Sequence, residues 1–166
     1  MKWLRYLKYI LIHKWYVMLM CFRFGLIWRG VVHDLSKFYP SEFIPYIEHF
    51  YGKKAKKWRD NTGYYKPSDT GDLNFDRAWN YHANRNDHHW QFWAIPEYDS
   101  VKALEMPEKC VKEMICDWWG ANKAQGHGGW GGPDGVRVWY MKNEYKMVLH
   151  INSRLMVERI LNEISG

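Results

Sequence analysis

The chain predicts an all-α fold, a bundle of about six helices, on three observations. Apolar side chains recur at three-, four- and seven-residue spacings, no stretch sustains the alternation of a β-strand, and Gly or Pro punctuates the helical stretches. With 166 residues, 47% of them hydrophobic, the chain suits one domain, 1–166, large enough to bury its own core. No internal repeat is visible.

Residues 3–24 contain neither Gly nor Pro, and Gly25 is placed to end this first helix in a left-handed cap. His13 shares a face with Tyr6, Tyr9, Ile10, Tyr16, Val17 and Met20, so its ring should point inward. Residues 26–38 read as a second helix with His33-Asp34 near its end, closed by Pro40. Ser41 is placed to cap a third, 42–51, with Pro45 close enough to the first turn to be tolerated. A basic loop follows over 52–74, with Lys53, Lys54, Lys56, Lys57 and Arg59; such a run is more often a solvated surface than a lid. Residues 75–93 read as a helix with His82, Asn86, His89 and Trp93 on one face, and His88 turned about 100° from His89. Pro96 ends it, and Pro107-Glu108 opens a fourth main helix that runs to Trp119 and stops at Gly120. Its Glu113 and Asp117 share a face at i,i+4 with Cys110 and Met114, so at least one carboxylate should turn inward. A Gly-rich loop over 125–135 lacks the Gly-Lys-Ser/Thr ending of a phosphate-cradling loop. Two closing helices, 136–150 and 153–164, complete the chain, the second capped by Asn152 or Ser153.

A formal charge of +6 and a pI near 9.1 suit an anionic partner, such as a phosphate-bearing small molecule, although solubility accounts for the same charge. Nucleic acid is a weaker fit, and the aromatic content of 18% is compatible with a homodimer. Cys21, Cys110 and Cys116 form no CxxC pair, which argues against a disulfide framework or a cysteine zinc knuckle and fits a reducing cytoplasm. In the N-terminal region the longest uncharged run, 15–22, lies between Lys14 and Arg23 and is too short to span a bilayer, so no membrane partner is expected.

The chemistry centres on His33-Asp34-Leu35-Ser36-Lys37-Phe38. A ring nitrogen and a carboxylate side by side can grip one divalent cation, and Lys37 lies one turn on, where an anion bound to that cation would sit. A lone inward histidine such as His13 is more often a hydrogen-bonded core residue. Three histidines within eight residues, His82, His88 and His89, are hard to justify as core filling, and an inward Asp117 calls for a cation. Nitrogen and oxygen donors without sulfur favour Mn, Fe, Co, Ni or Zn. His13, His33, Asp34, His82, one of His88 and His89, and Asp117 outnumber the needs of one cation, which points to one or two divalent metals sharing Asp34. Glu42 reads equally as a cap-region charge or as an acid behind a ligand.

In its order of His, His-Asp, His, His, Asp the chain resembles the two-metal branches of the HD-domain superfamily of metal-dependent phosphohydrolases. Those branches include cyclic-dinucleotide phosphodiesterases and di-iron oxygenases. His-Asp-Leu-Ser-Lys-Phe with Pro-Ser-Glu-Phe, Ala-Trp-x-x-His with Asn-x-His-His-Trp, and Glu-Met-x-x-Asp-Trp are similar to a small uncharacterised family of phages and bacteria. The resemblance implies an HD-like bundle around a metal site, located in the cytoplasm of a bacterium or of a phage's host. It assigns His13, His33, Asp34 and Asp117 to the first metal, and His82 with His88 or His89 to the second. The implied activity is hydrolysis of a nucleotide-like phosphate ester or anhydride, with Asp34 and Lys37 catalytic and Lys37 and Arg85 gripping phosphate. Oxygen chemistry at two irons and a non-enzymatic binding module are the competing expectations.

Overall fold

Residues 2–23 meet no helix breaker, and in the computed structural model, which describes residues 1–53, 70–125 and 133–165, they form α1 (Lys2–Arg23). The helices that follow are α2 (Ile27–Val32), α3 (Pro40–Tyr51), α4 (Leu73–Arg85), α5 (Glu108–Ala124), α6 (Pro133–Asn143) and α7 (Ile151–Ser165). Short 3-10 turns cover Leu35–Phe38, Trp90–Trp93 and Glu144–Lys146. The described fold is thus predominantly all-α, as the sequence predicts.

Tyr6, Ile10, His13, Val17 and Met20 form the buried stripe of α1. The helix ends as its sequence dictates: Gly25 takes φ +71°, its N–H donates to the Phe22 carbonyl at 3.0 Å, and Leu26 N–H donates to the Cys21 carbonyl at 2.9 Å. The reversal lays α2 against α1, and Gly30 makes this approach feasible, since a Cβ there would stand 2.8 Å from that of Cys21. The most extensive partner of α1 is α5. Apolar clusters form between α5, α6 and α7 around Ile115, Tyr140 and Leu161, between α1, α3 and α4 around Tyr6, Tyr46 and Phe75, and between α1 and α5 around Val17, Met20 and Cys116.

Several boundaries differ from expectation. The 26–38 helix breaks after Val32, and the 75–93 helix ends at Arg85. α3 starts at Pro40, whose fixed φ suits a first helical position, with Tyr39 rather than Ser41 at its cap. α5 does not stop at Gly120 but continues to Ala124, because an interior glycine costs a helix only about 1 kcal/mol. There the missing Cβ is a requirement of packing: it would lie 2.4 Å from Val17 Cγ2 and 3.2 Å from the His13 carbonyl oxygen. The first closing helix divides into α6 and a 3-10 turn, and α7 begins at Ile151. Ser153 is not a cap; its Oγ accepts from Met106 N–H at 2.8 Å. A two-stranded antiparallel hairpin, β1 (Ala94–Pro96) with β2 (Val101–Ala103), was not expected, since three-residue strands are too short to show alternation. The basic stretch 54–69 and the Gly-rich stretch 126–132 lie outside the described residues; the ends expected of those loops are helical, with Leu73 in α4 and Pro133 in α6. Among the described residues, no helix is long and apolar enough to cross a membrane.

Candidate metal centre

Two pairs of adjacent residues supply most of the donors, and both pairs sit where a helix breaks. Neighbours within a helix diverge by about 100°, so neither pair could aim at one point from inside a helix. After Val32, His33 is extended (φ −47°, ψ 129°) and Asp34 is left-handed (φ 54°), the one non-glycine residue with positive φ among those described. Aspartate adopts this conformation more readily than most residues, at a cost of order 1 kcal/mol. Lys14 of α1 donates to the carbonyls of Val31, at 3.3 Å, and His33, holding the break in place. α4 ends at Asn86, extended at φ −119°, whose side-chain amide donates to the His82 carbonyl at 2.8 Å. His88 and His89 then follow outside the helix, so both reach the site that a continuous helix would have offered to only one.

Asp34 joins two sets of donors. Its Oδ2 lies 3.4 Å from His13 Nε2 and 3.3 Å from His33 Nε2, and Asp117 Oδ1 is 3.1 Å and 3.5 Å from the same nitrogens. Its Oδ1 lies 3.4 Å from both His82 Nε2 and His88 Nε2, with His89 Nε2 a further 2.9 Å from His82 Nε2. For metal–ligand bonds of about 2.1 Å, neighbouring donors stand about 3.0 Å apart in an octahedron and about 3.4 Å apart in a tetrahedron. Both sets have that spacing. All seven expected ligands are therefore brought together, in one group of His13, His33, Asp34 and Asp117 and another of Asp34, His82, His88 and His89.

The donor atoms also lack alternatives. His13 Nε2, His33 Nε2, His88 Nε2 and Asp34 Oδ1 are buried without a hydrogen-bond partner, and Asp34 Oδ2 has the Lys37 ammonium beside it. Leaving such groups unsatisfied costs about 1–3 kcal/mol each, a penalty that a cation at either position would relieve. The residues present fit a pair of divalent cations.

Behind the donors stand two buried glutamates, each held by an arginine. Glu113 Oε1 accepts from His33 Nδ1 at 2.8 Å and lies 3.3 Å from His88 Nδ1, while its Oε2 accepts from Arg29. Arg29 also binds Asp87, which accepts from the Cys110 thiol at 3.3 Å. Glu42 Oε2 lies 3.0 Å from His82 Nδ1 and 2.9 Å from Ser36 Oγ, and its Oε1 accepts from Arg85 at 2.6 Å. Such partners fix the tautomer and direction of a ligating imidazole, leaving Nε2 free for metal. Glu42 is therefore an acid behind a ligand, and both Glu113 and Asp117 turn inward. Arg85, expected to grip phosphate, has its guanidinium over Tyr39 and Tyr81 and paired with Glu42, a buried carboxylate that needs a counter-charge. Arg29 and Asp87 are not marked by anything in the sequence spacing, whereas Asn86 shares the expected face of His82 and His89.

The charges are strongly coupled. Burial opposes ionisation of Asp34, but His33, Lys37 and His82 outweigh it and hold the carboxyl well below its ordinary range. Burial opposes Asp117 and Glu113 likewise; the nearness of His13 and His33 to the one, and of His33 and His88 to the other, keeps both low. The carboxylates in turn raise His33 and His88 against the pull of burial. Burial dominates at His82 and His89 and lowers both, the latter with help from the charges of its histidine neighbours. Lys37 Nζ lies 2.5 Å from Asp34 Oδ2. Together with Asp117 and His89 it borders solvent; the Tyr9 ring stacks with His13, and Trp79 meets His89 edge-on.

No curated protein and no solved structure matches the chain. A family model does, over residues 2–163, and the chain accordingly belongs to a family of unknown function, DUF5662.

Proposed function

We propose that the protein is a two-metal phosphohydrolase of the HD type, acting on a nucleotide-like phosphate ester or anhydride. One observation supports this reading above the others: Asp34 directs its two buried oxygens into two separate sets of nitrogen and oxygen donors, Oδ1 without a hydrogen-bond partner and Oδ2 paired with the Lys37 ammonium. His13, His33 and Asp117 would hold one divalent cation, and His82, His88 and His89 the other, with Asp34 shared. Bound there, the cations supply a water of lowered pKa and Lewis-acid stabilisation of phosphoryl charge. The chain's own residues do the rest. Glu113 and Glu42 hold the imidazoles in their ligating direction. Lys37, at the solvent edge, donates to a phosphoryl oxygen as negative charge gathers on it. Tyr9 and Trp79 offer aromatic faces to the organic part of a substrate.

Metal counting combined with hydrolysis of generic phosphodiesters and nucleotides tests the proposal. The wild type should carry two cations per chain and turn over one of these substrates, and Asp34→Ala should lose both cations and all turnover while keeping its helical circular dichroism. Retained turnover in Asp34→Ala would remove the assignment. Activity that demands iron and consumes oxygen would replace hydrolysis with oxidation at the same donors. Tight nucleotide binding without turnover under every metal would make the chain a binding module.

A further inference from the structure

The entire net charge of the chain resides in its first two helices. Residues 1–33 hold six Lys and Arg and not one Asp or Glu, while the remainder carries basic and acidic residues in equal number. On α1 a second apolar stripe, Leu4, Leu11, Trp15, Leu19 and Phe22, runs roughly opposite the buried one at 100° per residue. Trp15 is 56% exposed, and in α2, packed against α1, Trp28 is 73% exposed with Ile27 and Val31 beside it. The 3-10 turn that follows sends Ser36 inward and Lys37 onto Asp34, but leaves Leu35 and Phe38 outside. Of the six cations, Arg29 and Lys14 are turned inward and Lys2 pairs with Glu48. Arg5, Lys8 and Arg23 are exposed and have no acidic partner among the described residues, and Lys8 stands within the apolar stripe between Leu4 and Leu11.

We infer that this face adsorbs to an anionic lipid surface, with α1 lying in the plane of the interface. Tryptophan, leucine and phenylalanine insert at headgroup depth, while unpaired cations on and beside the stripe meet lipid phosphates. Lys8 has the stem length to keep its ammonium at the headgroups from within the stripe. A second copy of the chain is the poorer occupant, since a symmetric contact would bring two uniformly cationic faces together. This contact needs no helix to span the bilayer, and it leaves the candidate metal centre on the other side of α1 free to bind its cations.

The test is flotation of the full chain with vesicles of phosphatidylglycerol and phosphatidylcholine, against phosphatidylcholine alone. The wild type should partition onto the anionic vesicles, and markedly less at high salt or on the neutral ones. Lys8→Glu, a change of two charge units, should weaken binding about 25-fold, and Trp15→Ala with Trp28→Ala at least about tenfold. Both variants alter exposed positions, so each should keep its circular dichroism and metal content. No partition of the wild type at millimolar anionic lipid, or equal binding by the variants, would overturn the inference. So would light scattering showing a lipid-free dimer that the tryptophan variant renders monomeric, which would make the face a self-association surface.

Discussion

Glu113 touches a histidine of each donor set, whereas Glu42 touches His82 alone. The two glutamates should therefore be separable by experiment. Glu113→Gln keeps the shape but removes the charge that orients His33 and His88, and should weaken both cations by about 10- to 100-fold. Glu42→Gln should weaken one cation by a similar factor and spare the other, as read by competition with a chromophoric chelator. Equal effects of the two variants would show that the sets do not divide as their geometry implies. Protons give a second reading. His33 and His88 are raised and must lose a proton to ligate, while His82 and His89 are lowered and already neutral. Cation binding should release protons from His33 and His88, measurable by calorimetry in buffers of different ionisation heat. The sign reverses for the cation-free protein. Above about pH 6.5 the unfolded histidines are neutral while His33 and His88 stay protonated in the fold, so stability falls as pH rises through their raised pKa values. Urea unfolding in chelator should show lower stability at pH 8 than at pH 6.5, and a rise would contradict the assignment.

Gly120 decides how closely α1 and α5 approach, and through them how His13 meets Asp117. Gly120→Ala sets a methyl against the side chain and backbone of Val17, and should cost about 1–3 kcal/mol in denaturant unfolding. It should also loosen the cation held by His13 and Asp117 more than the other. Adding Val17→Ala should recover part of the loss, because the nearest clash is with Val17 Cγ2. This is also the scale at which the sequence was least legible. Helix existence was readable from periodicity, and inward aspect from the face that His13 shares with Tyr6, Ile10 and Val17. The breaks at His33-Asp34 and at Asn86 were not, since no Gly or Pro marks them; they follow from Lys14 and Asn86 satisfying carbonyls that the helices leave open. An unbroken helix would offer only one of His88 and His89 to the site, whereas the break after Arg85 brings both to it. Gly120 misled in the opposite sense, because a glycine demanded by a crossing helix looks the same in sequence as one that ends a helix. The roles of Glu42 and Arg85 depend on long-range pairing that no local pattern records.

At the scale of the whole molecule, the ligands come from α1, the segment after α2, α4 with its following loop, and α5, so any cation bound among them ties four distant parts of the chain together. Each cation loaded should raise stability by about 2.7 kcal/mol at a hundredfold excess over its Kd, shifting Tm by roughly 5–10 °C, and chelation should reverse it. A Tm indifferent to metal would place the cations elsewhere. The pairing of α1 with α5 has a further consequence, for the order in which the chain is made. The ribosome completes α1 long before α5, which follows only after everything from Phe24 to Pro107 has been added. At cellular elongation rates that interval is roughly 4–17 s. Throughout it, a helix apolar on two opposite sides has its principal partner still unsynthesised, and the nascent chain presents that helix to whatever chaperone or lipid surface is nearest the tunnel exit.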